Sequence, residues 1–285
     1  MLKRMQPEYM TDLKSKQNHD GGWAYSRGCS WSEPTAFALL AQSVVNGRAG
    51  QSFTEGLQFL RSMAGPDGGF RPQPGVMEST WVASVVTLLP REALGEQRYG
   101  RAIEWLKGQT GRESGWRYKL RQRFAGSKDE FPDGWPWYPG AAAWVIPTSL
   151  GILAFERALR NLGAASALQQ RIDAGREFLL SRMCADGGWN HGSSKALGRD
   201  GDSYPETTGI ALLALKGLKS AQIERAKAAA RKHLAGSSNA EGVAWLRMAL
   251  AVHGEPVQQG SQTPPRTTLD LALLEVASAD RNPLL

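Results

Sequence analysis

The sequence predicts an all-α fold, an α/α toroid in which two concentric layers of helices surround a common centre. Three observations support this prediction: a glycine-aromatic phrase recurs along the chain, each copy leads into an apolar helix, and charged amphipathic helices alternate with the apolar ones. A helix that is apolar on all sides must be buried, whereas an amphipathic helix covers a core with one face. Two concentric layers satisfy both requirements.

The recurring phrase is most complete at 186–189, where Asp-Gly-Gly-Trp precedes a polar loop. The same phrase occurs at 20–23 and, with Phe70 in place of the tryptophan, at 67–70, and a looser copy is Ser114-Gly115-Trp116. Paired glycines permit backbone angles that a Cβ forbids, so each copy predicts a tight turn after a helix. The ring that ends each copy is expected to be buried against the neighbouring helices.

Three of the apolar helices open with Glu-x-Thr, at Glu33, Glu78 and Glu206. A hydroxyl or carboxylate at a helix start satisfies free N–H groups and complements the positive end of the helix. Each repeat is therefore predicted to consist of a helix, a glycine-aromatic turn, a polar loop and a capped apolar helix.

We predict that residues 1–285 form one domain of about five helical hairpins and a closing helix. Thr267 and Asp270 are spaced like a capping box, which predicts that the closing helix covers 267–278. The preceding stretch, 255–266, contains Gly, Gln and Pro and is expected to be a linker. An open HEAT-like solenoid also stacks helix pairs, but it needs neither long loops within each pair nor inner helices this apolar. The repeat units are predicted near residues 17–46, 61–89, 108–160 and 182–218.

The repeat interval lengthens in the middle of the chain, because Thr80 and Thr148 are further apart than Thr35 and Thr80. We assign the extra residues to 117–144, whose first part is basic and whose second part is aromatic. Insertions in repeat arrays often form loops on the binding face. A surface flap that covers the ring is the alternative.

The chain has 285 residues, a net charge of +7 and a pI near 9.5. This charge favours anionic partners such as diphosphates or acidic lipid surfaces, but no nucleic-acid-binding motif accompanies it, so no nucleic-acid partner is predicted. The two cysteines exclude a disulfide framework and a Cys-rich zinc module. We find neither a signal peptide nor an apolar run that could span a bilayer. A cytoplasmic location is expected, and peripheral membrane contact stays open.

The glycine-aromatic turns, polar loops and apolar helices with Glu-x-Thr resemble the repeats of squalene–hopene cyclases and protein prenyltransferase β subunits. These proteins form the terpenoid-cyclase/prenyltransferase α/α-toroid superfamily. The resemblance covers about 17–218 and is expected to extend over the whole chain. It implies an apolar central cavity for an isoprenoid-type ligand and, in the cyclase branch, an acid at the start of an inner helix that protonates the substrate.

The acid of these cyclases belongs to a DxDD motif, and the string most similar to it here is 200–203, which includes Asp202. If Thr207 matches the family's Thr after DxDD, the motif falls on 203–206, where Glu206 is the acidic residue. Glu78 occupies a similar repeat position. The catalytic candidates are therefore Glu206, Asp202 and Glu78, and a structural role at the helix start is the alternative for each.

Aromatic side chains near the apolar helices are candidate substrate-binding residues, because aromatic faces stabilise carbocations. Packing in the core is the alternative for each of them. These candidates are Trp81, Trp137, Tyr138, Trp144 and Trp245.

The prenyltransferase branch implies a zinc ion held by Asp, Cys and His. Cys184, Asp186 and His191 lie close together in the sequence, but the Asp-x-Cys pattern of that branch is absent. We therefore predict neither a metal nor a cofactor.

Three functions are consistent with the sequence. The first is a terpene-cyclase-like or prenyltransferase-like protein that acts on an isoprenoid, which two acids converging in an apolar cavity would favour. The second is a non-catalytic toroid that binds a lipid or a protein, which a filled centre would favour. The third is an (α/α)-barrel enzyme acting on carbohydrate, which an open groove with Trp and two opposed carboxylates would favour.

Overall fold

The structure is a computed structural model. It describes residues 12–45, 50–115, 132–162, 166–192, 195–196, 199–257 and 264–285.

The described chain consists of helices joined by turns and loops. Residues 12–15 form a helical turn, Arg112–Ser114 form a 3-10 helix, and β1 (Lys195–Ala196) pairs with β2 (Arg199–Asp200) in a small antiparallel ribbon. The helices, in chain order, are α1 (Ser32–Val45), α2 (Gln51–Ser62), α3 (Val82–Val86), α4 (Arg91–Leu94), α5 (Glu96–Gly108), α6 (Val145–Leu162), α7 (Ser166–Ser181), α8 (Pro205–Ala214), α9 (Ala221–Gly236), α10 (Ala240–Val252) and α11 (Thr268–Ala277).

The apolar helices form a closed inner ring. They contact one another in the order α1, α3, α6, α8, α10, α11, and α11 returns to contact α1. The amphipathic helices lie outside this ring: α2 contacts α1, α5 contacts α3 and α6, α7 contacts α6, and α9 contacts α8 and α10. The predicted α/α toroid of two concentric layers is therefore confirmed, and the closed ring excludes the open solenoid.

The apolar character of the inner helices explains the layering. In α8 every residue from Thr207 to Ala214 is buried, and Trp245 and Leu246 of α10 are buried as well. The outer helix α9 buries Ile223 and Ala226 and leaves its charged face to solvent. Burial of a large apolar side chain contributes about 1.5–3 kcal/mol, so the inner ring supplies much of the stabilising free energy.

Three tryptophans anchor the turns between the layers. We call Trp23, Trp135 and Trp189 the turn anchors, and all three rings are fully buried. Their indole N–H groups donate hydrogen bonds to the carbonyls of outer-layer residues Leu13 (2.7 Å), Leu106 (2.9 Å) and Leu179 (2.6 Å). Their backbone N–H groups donate to the inner-helix hydroxyls of Thr35 (2.9 Å), Thr148 (2.9 Å) and Thr208 (3.0 Å). The burial predicted for the rings of Trp23 and Trp189 is confirmed, and Phe70 is fully buried in the second repeat.

The third copy of the phrase was placed wrongly at Ser114-Gly115-Trp116. The structure uses Gly134-Trp135 instead, while Trp116 lies outside the described residues. The interval from Trp135 to its threonine is 13 residues, close to the 12 residues of the first repeat. The extra residues of this repeat therefore precede the turn, and the basic residues at 117–128 lie outside the described part of the chain.

Backbone hydrogen bonds fix the register of the repeats. The N–H groups of Trp31, Thr80, Trp144 and Tyr204 donate to the carbonyls of Trp23, Phe70, Trp135 and Trp189. Two residues after these donors stand Glu33, Val82, Ile146 and Glu206. The alignment of Glu78 with Glu33 is therefore wrong by four residues, because Thr80 corresponds to Trp31 and not to Thr35.

Both hydrogen bonds of the predicted capping box are present at the start of the closing helix. The Thr267 hydroxyl accepts from the Asp270 N–H (3.0 Å), and the Asp270 carboxylate accepts from the Thr267 N–H (3.0 Å). The next N–H, of Thr268, donates to the Tyr25 carbonyl (2.7 Å), which joins the last helix to the first repeat. The predicted capping box is thus present, whereas 258–263 of the expected linker lie outside the described residues.

Candidate functional site

A cavity of about 320 Å³ lies inside the ring, at the N-terminal ends of the inner helices. All six inner helices or the residues that directly precede them contribute to its wall. The second residue of a helix lines the cavity in five cases: Glu33, Ile146, Glu206, Glu241 and Leu269. The first turns of the inner helices therefore surround one common space.

Three carboxyl groups line this cavity, on Glu33, Glu206 and Glu241. They belong to α1, α8 and α10, whose positive N-terminal ends favour negative charge. In a ring of six helices α1 lies opposite α8, so Glu33 and Glu206 occupy opposite walls. By the same geometry Glu241 lies opposite Trp81, the residue directly before α3.

Burial changes the proton affinity of two of these acids. It raises the pKa of Glu33 to about 8; the charge of Glu241 adds to this effect, and a hydrogen bond from the Tyr25 hydroxyl opposes it. Burial likewise raises the pKa of Glu241 to about 7, with further increases from Glu206 and Asp270 and an opposing hydrogen bond from Trp245. Burial therefore favours the protonated form of both carboxyl groups relative to an exposed glutamate.

The Tyr25 hydroxyl donates its hydrogen bond to Oε2 of Glu33. Burial raises the pKa of Tyr25 far above its ordinary range, and the charge of Glu33 adds to this increase. Tyr25 therefore stays a donor at every physiological pH. A donor fixed on one oxygen stabilises the anion that Glu33 becomes after it gives up a proton.

Aromatic rings form much of the remaining wall. Trp81 and Trp137 meet edge to face, with centroids 4.8 Å apart and an interplanar angle of 88°. The Trp81 N–H also donates to the Trp137 carbonyl (3.0 Å). Trp245 packs edge to face on Phe37, with centroids 5.7 Å apart. Such rings attract a positive charge that lies against their faces.

Aliphatic side chains complete the wall, from Ile146, Leu150, Ile210 and Leu269. Among the described residues that line the cavity, none is Lys, Arg or His. The site thus combines hydrocarbon, aromatic faces and carboxyl groups.

Four of the eight predicted site residues line the cavity: Glu206, Trp81, Trp137 and Trp245. Trp144 does not, because it occupies the backbone-donor position before α6 and its ring packs beside Gly192. Tyr138 is 54% exposed, and it borders a small separate recess with Trp105.

The structure does not bring Asp202 and Glu78 into the cavity, and both side chains are exposed. Asp202 lies in the loop before α8, next to Ser203, which is held by Asp186 (Oγ to Oδ2, 2.7 Å). Glu78 lies four residues before α3, whereas Glu33 and Glu206 lie inside the first turns of their helices.

Sequence reasoning missed Tyr25 and Glu241 and gave Glu33 only a structural role. The repeat register could have identified Glu33, since it corresponds to Glu206. Glu241 follows Asn239, the N-cap of α10, but no Glu-x-Thr marks that helix. The approach of Tyr25 to Glu33 depends on loop geometry that no sequence pattern specifies.

Asp186, Ser203 and His233 form a second polar cluster, in which the Ser203 Oγ lies 2.6 Å from the His233 Nε2. The Ser203 hydroxyl donates its hydrogen to Asp186, so it accepts from His233, whose pKa is lowered by burial. A nucleophilic serine would instead donate to the histidine. The same Asp–Ser pair recurs at Asp20 and Ser30 (2.6 Å) and at Asp67 and Ser79 (2.7 Å), which assigns the cluster to the repeated turn.

The described residues contain no group of three His, Cys, Asp or Glu side chains arranged to hold a metal ion. No helix in the described ranges is long and apolar enough to cross a membrane.

No family model and no curated protein matches the chain. Solved structures do match it, at low identity. A variant of a type II terpene cyclase from Scytonema, in complex with geranylgeranyl dihydroxybenzoate, is 15% identical with a TM-score of 0.56, over 97% of this chain and 80% of that one. The two chains share the toroid fold.

Two glycoside hydrolases match as well. A GH8 endo-β-1,4-glucanase from an Achatina fulica gut metagenomic library is 15% identical with a TM-score of 0.59, over 99% of this chain and 100% of that one. A GH76 α-mannanase from Bacteroides thetaiotaomicron is 10% identical with a TM-score of 0.59, over 94% and 93% of the two chains. These likenesses support the α/α-toroid fold, which hosts unrelated activities.

Proposed function

We propose that the cavity binds an isoprenoid-type substrate and that Glu33 protonates one of its double bonds. The observation that carries this proposal is the Glu33 carboxyl group, which accepts a hydrogen bond from Tyr25 inside a cavity of aromatic and aliphatic side chains. Burial raises the pKa of this carboxyl, which favours its protonated form. Protonation of an alkene needs a proton donor beside a hydrocarbon and a wall that tolerates the resulting cation. The Scytonema cyclase, whose bound substrate is prenylated, has the same fold.

The chemistry is a general acid step followed by loss of a proton. The Glu33 proton forms a new C–H bond with the π electrons of the alkene, which leaves a positive charge on the adjacent carbon. The Tyr25 hydroxyl stabilises the Glu33 carboxylate, and the faces of Trp81, Trp137 and Trp245 stabilise the cation. The Glu206 carboxylate on the opposite wall accepts a proton from the cation, which restores a double bond. The product is then an isomer of the substrate.

Hydrolysis of a glycosidic bond is the second candidate. Glu33 and Glu206 on opposite walls could act as general acid and general base, and tryptophans could stack on sugar rings. The aliphatic wall weighs against this function, because Ile146, Leu150, Ile210 and Leu269 offer no partner to sugar hydroxyls. A non-catalytic lipid-binding toroid would use the same hydrocarbon wall without turnover.

The test compares substrates from both classes. The protein is incubated with squalene, geranylgeranyl diphosphate, β-1,4-gluco-oligosaccharides and manno-oligosaccharides, and products are identified by mass spectrometry. We expect a product with the mass of the isoprenoid substrate and a new retention time. Glu33→Gln should reduce its rate by about 10²-fold or more, because a general acid contributes about 10²–10⁴-fold.

Glu78→Gln is the matched control, since it changes an exposed acid outside the cavity and should leave the rate unchanged. Cleaved oligosaccharides would support the second candidate instead. Unchanged substrates together with a co-purified lipid would support a non-catalytic toroid. Unchanged substrates with no lipid would contradict the proposed function.

A further inference from the structure

We propose that the central cavity binds a monovalent organic cation with an apolar body, a substituted ammonium, whose positive centre lies among Glu33, Glu206, Glu241 and the surrounding indole rings. This inference uses the same cavity as the proposed function but requires no turnover. It assigns a class of ligand, not a reaction.

The wall of the cavity carries acidic groups. Three carboxyl groups line one cavity, and no described lining residue is cationic. Three nearby groups act on these acids, and none of them supplies a positive charge. Tyr25 is a phenol and Asp270 is an acid. His233 acts on Glu206, but burial disfavours the charged form of its imidazole. A buried carboxylate without a counter-charge is costly, and burial accordingly raises the pKa of Glu33 and of Glu241. A bound cation removes that cost.

Indole rings line the cavity on two sides. Trp81 and Trp137 meet at 88° and form an aromatic corner, and Trp245 lies on the helix opposite. Tyr25 lines the wall next to Glu33. Aromatic faces combined with acidic groups are the recognition chemistry of alkylated ammonium ions. Metal cations lack the apolar surface that such faces would cover.

The cavity is small, and the rest of its wall is hydrocarbon. A volume of about 320 Å³ lies at the low end of small-molecule pockets, which span about 300–1,000 Å³. Ile146, Leu150, Ile210 and Leu269 supply hydrocarbon contacts but no hydrogen bonds. A compact ligand with one charged centre and a hydrocarbon or aromatic body therefore matches the wall better than a polar one.

Phenyltrimethylammonium is the probe, and tert-butylbenzene is its neutral isostere. Calorimetric titration at pH 7.5 in phosphate and in Tris buffer, which differ in ionisation enthalpy, measures affinity and proton release together. We expect the cation to bind and to release protons, so that the observed heat depends on the buffer. Affinity should rise between about pH 6 and about pH 8.5, because the bound cation favours the ionised carboxyls.

Variants locate the site. Glu241→Gln should weaken binding about ten-fold or more, as expected when a charged partner is lost in a desolvated contact. Glu78→Gln should bind like the unaltered protein, and thermal melting confirms that both variants fold. Equal affinity for the neutral isostere, equal heats in the two buffers, or no binding to the folded protein would each overturn the inference.

The outcome is separable from the proposed function. Isomerised isoprenoid without cation binding would sustain the proposed function and reject this inference. Cation binding without any turnover would sustain the inference and leave the catalytic proposal without support.

Discussion

The Tyr25 hydroxyl donates a hydrogen bond to the Glu33 carboxyl at the start of the first inner helix. The same segment accepts a hydrogen bond from the N–H of Thr268, in the last inner helix. The acid that we place at the centre of the chemistry is thus oriented at the point where the toroid closes.

The cavity acids make stability depend on pH. Glu33 has a pKa of about 8 in the folded protein, against an ordinary value of 4.5, so the folded state binds more protons than the unfolded state between these values. The free energy of unfolding therefore falls as pH rises from about 5 to about 8, by roughly 2 kcal/mol once solvent in the cavity is allowed for. Urea titrations across this range measure the decrease.

Glu33→Gln should flatten that dependence and raise stability at pH 8, since the amide carries no charge. Glu241→Gln should likewise flatten the pH dependence of stability, but over a lower pH range, because the pKa of Glu241 is about 7. Glu104→Gln changes an exposed acid on an outer helix and serves as control. A slope that persists in the double variant of Glu33 and Glu241 would contradict the assignment.

Trp189→Ala should lower the free energy of unfolding by about 3–5 kcal/mol, because it removes a fully buried ring and leaves a cavity. Trp189→Phe should cost less, since it keeps a buried aromatic ring and loses part of the ring volume together with the hydrogen bond to the Leu179 carbonyl. Phe70 holds this place in the second repeat. Chemical denaturation measures both, with the exposed Tyr138→Ala as control. Unaltered melting of Trp189→Ala would refute the anchor role of that ring.

The Thr208 hydroxyl accepts a hydrogen bond from the Trp189 N–H (3.0 Å) in a buried setting. Thr208→Val keeps the shape but leaves that N–H without an acceptor, which should cost about 1–3 kcal/mol. Thr208→Ser keeps the acceptor and should cost less. If the valine and serine variants unfold at the same denaturant concentration, the hydrogen bond contributes nothing measurable.

Gly187 has a positive φ and is also closely packed, whereas Gly217 has a positive φ without close packing. Its φ is 93°, and an added Cβ would lie 2.9 Å from the Arg225 carbonyl oxygen. Gly217 has a φ of 82°, but an added Cβ would meet nothing within 4 Å. Gly217→Ala should therefore cost about 1 kcal/mol for its backbone alone, and Gly187→Ala should cost more. Equal losses in thermal melting would show that close packing of the turn is unimportant.

The fold could be predicted because its signals are local. Apolar runs after each polar loop and glycine pairs before a ring depend on a few neighbouring residues, and these placed Trp23 and Trp189 correctly. The register of the second repeat could not be predicted, since Thr80 mimics the threonine of other repeats while its backbone matches Trp31. Trp135 was missed because its turn has Gly134 preceded by Asp133, without the glycine pair.

The site was predictable only in part. Glu206 opens one Glu-x-Thr element and Trp81 directly follows another, so the sequence points to them. Glu241 enters the cavity because α10 completes the ring, and ring closure is a tertiary property. The raised pKa of Glu33 likewise arises from burial among residues distant in sequence.

Five inner helices contribute their second residue to the cavity wall, and the turn anchors that hold the layers lie elsewhere. Under the proposed function, ligand preference can therefore change through substitutions in this wall while the turn anchors are kept. Ile146 and Leu269 are the two of the five positions that are not acids, so variation there should sample new ligands without removing a proposed functional carboxyl.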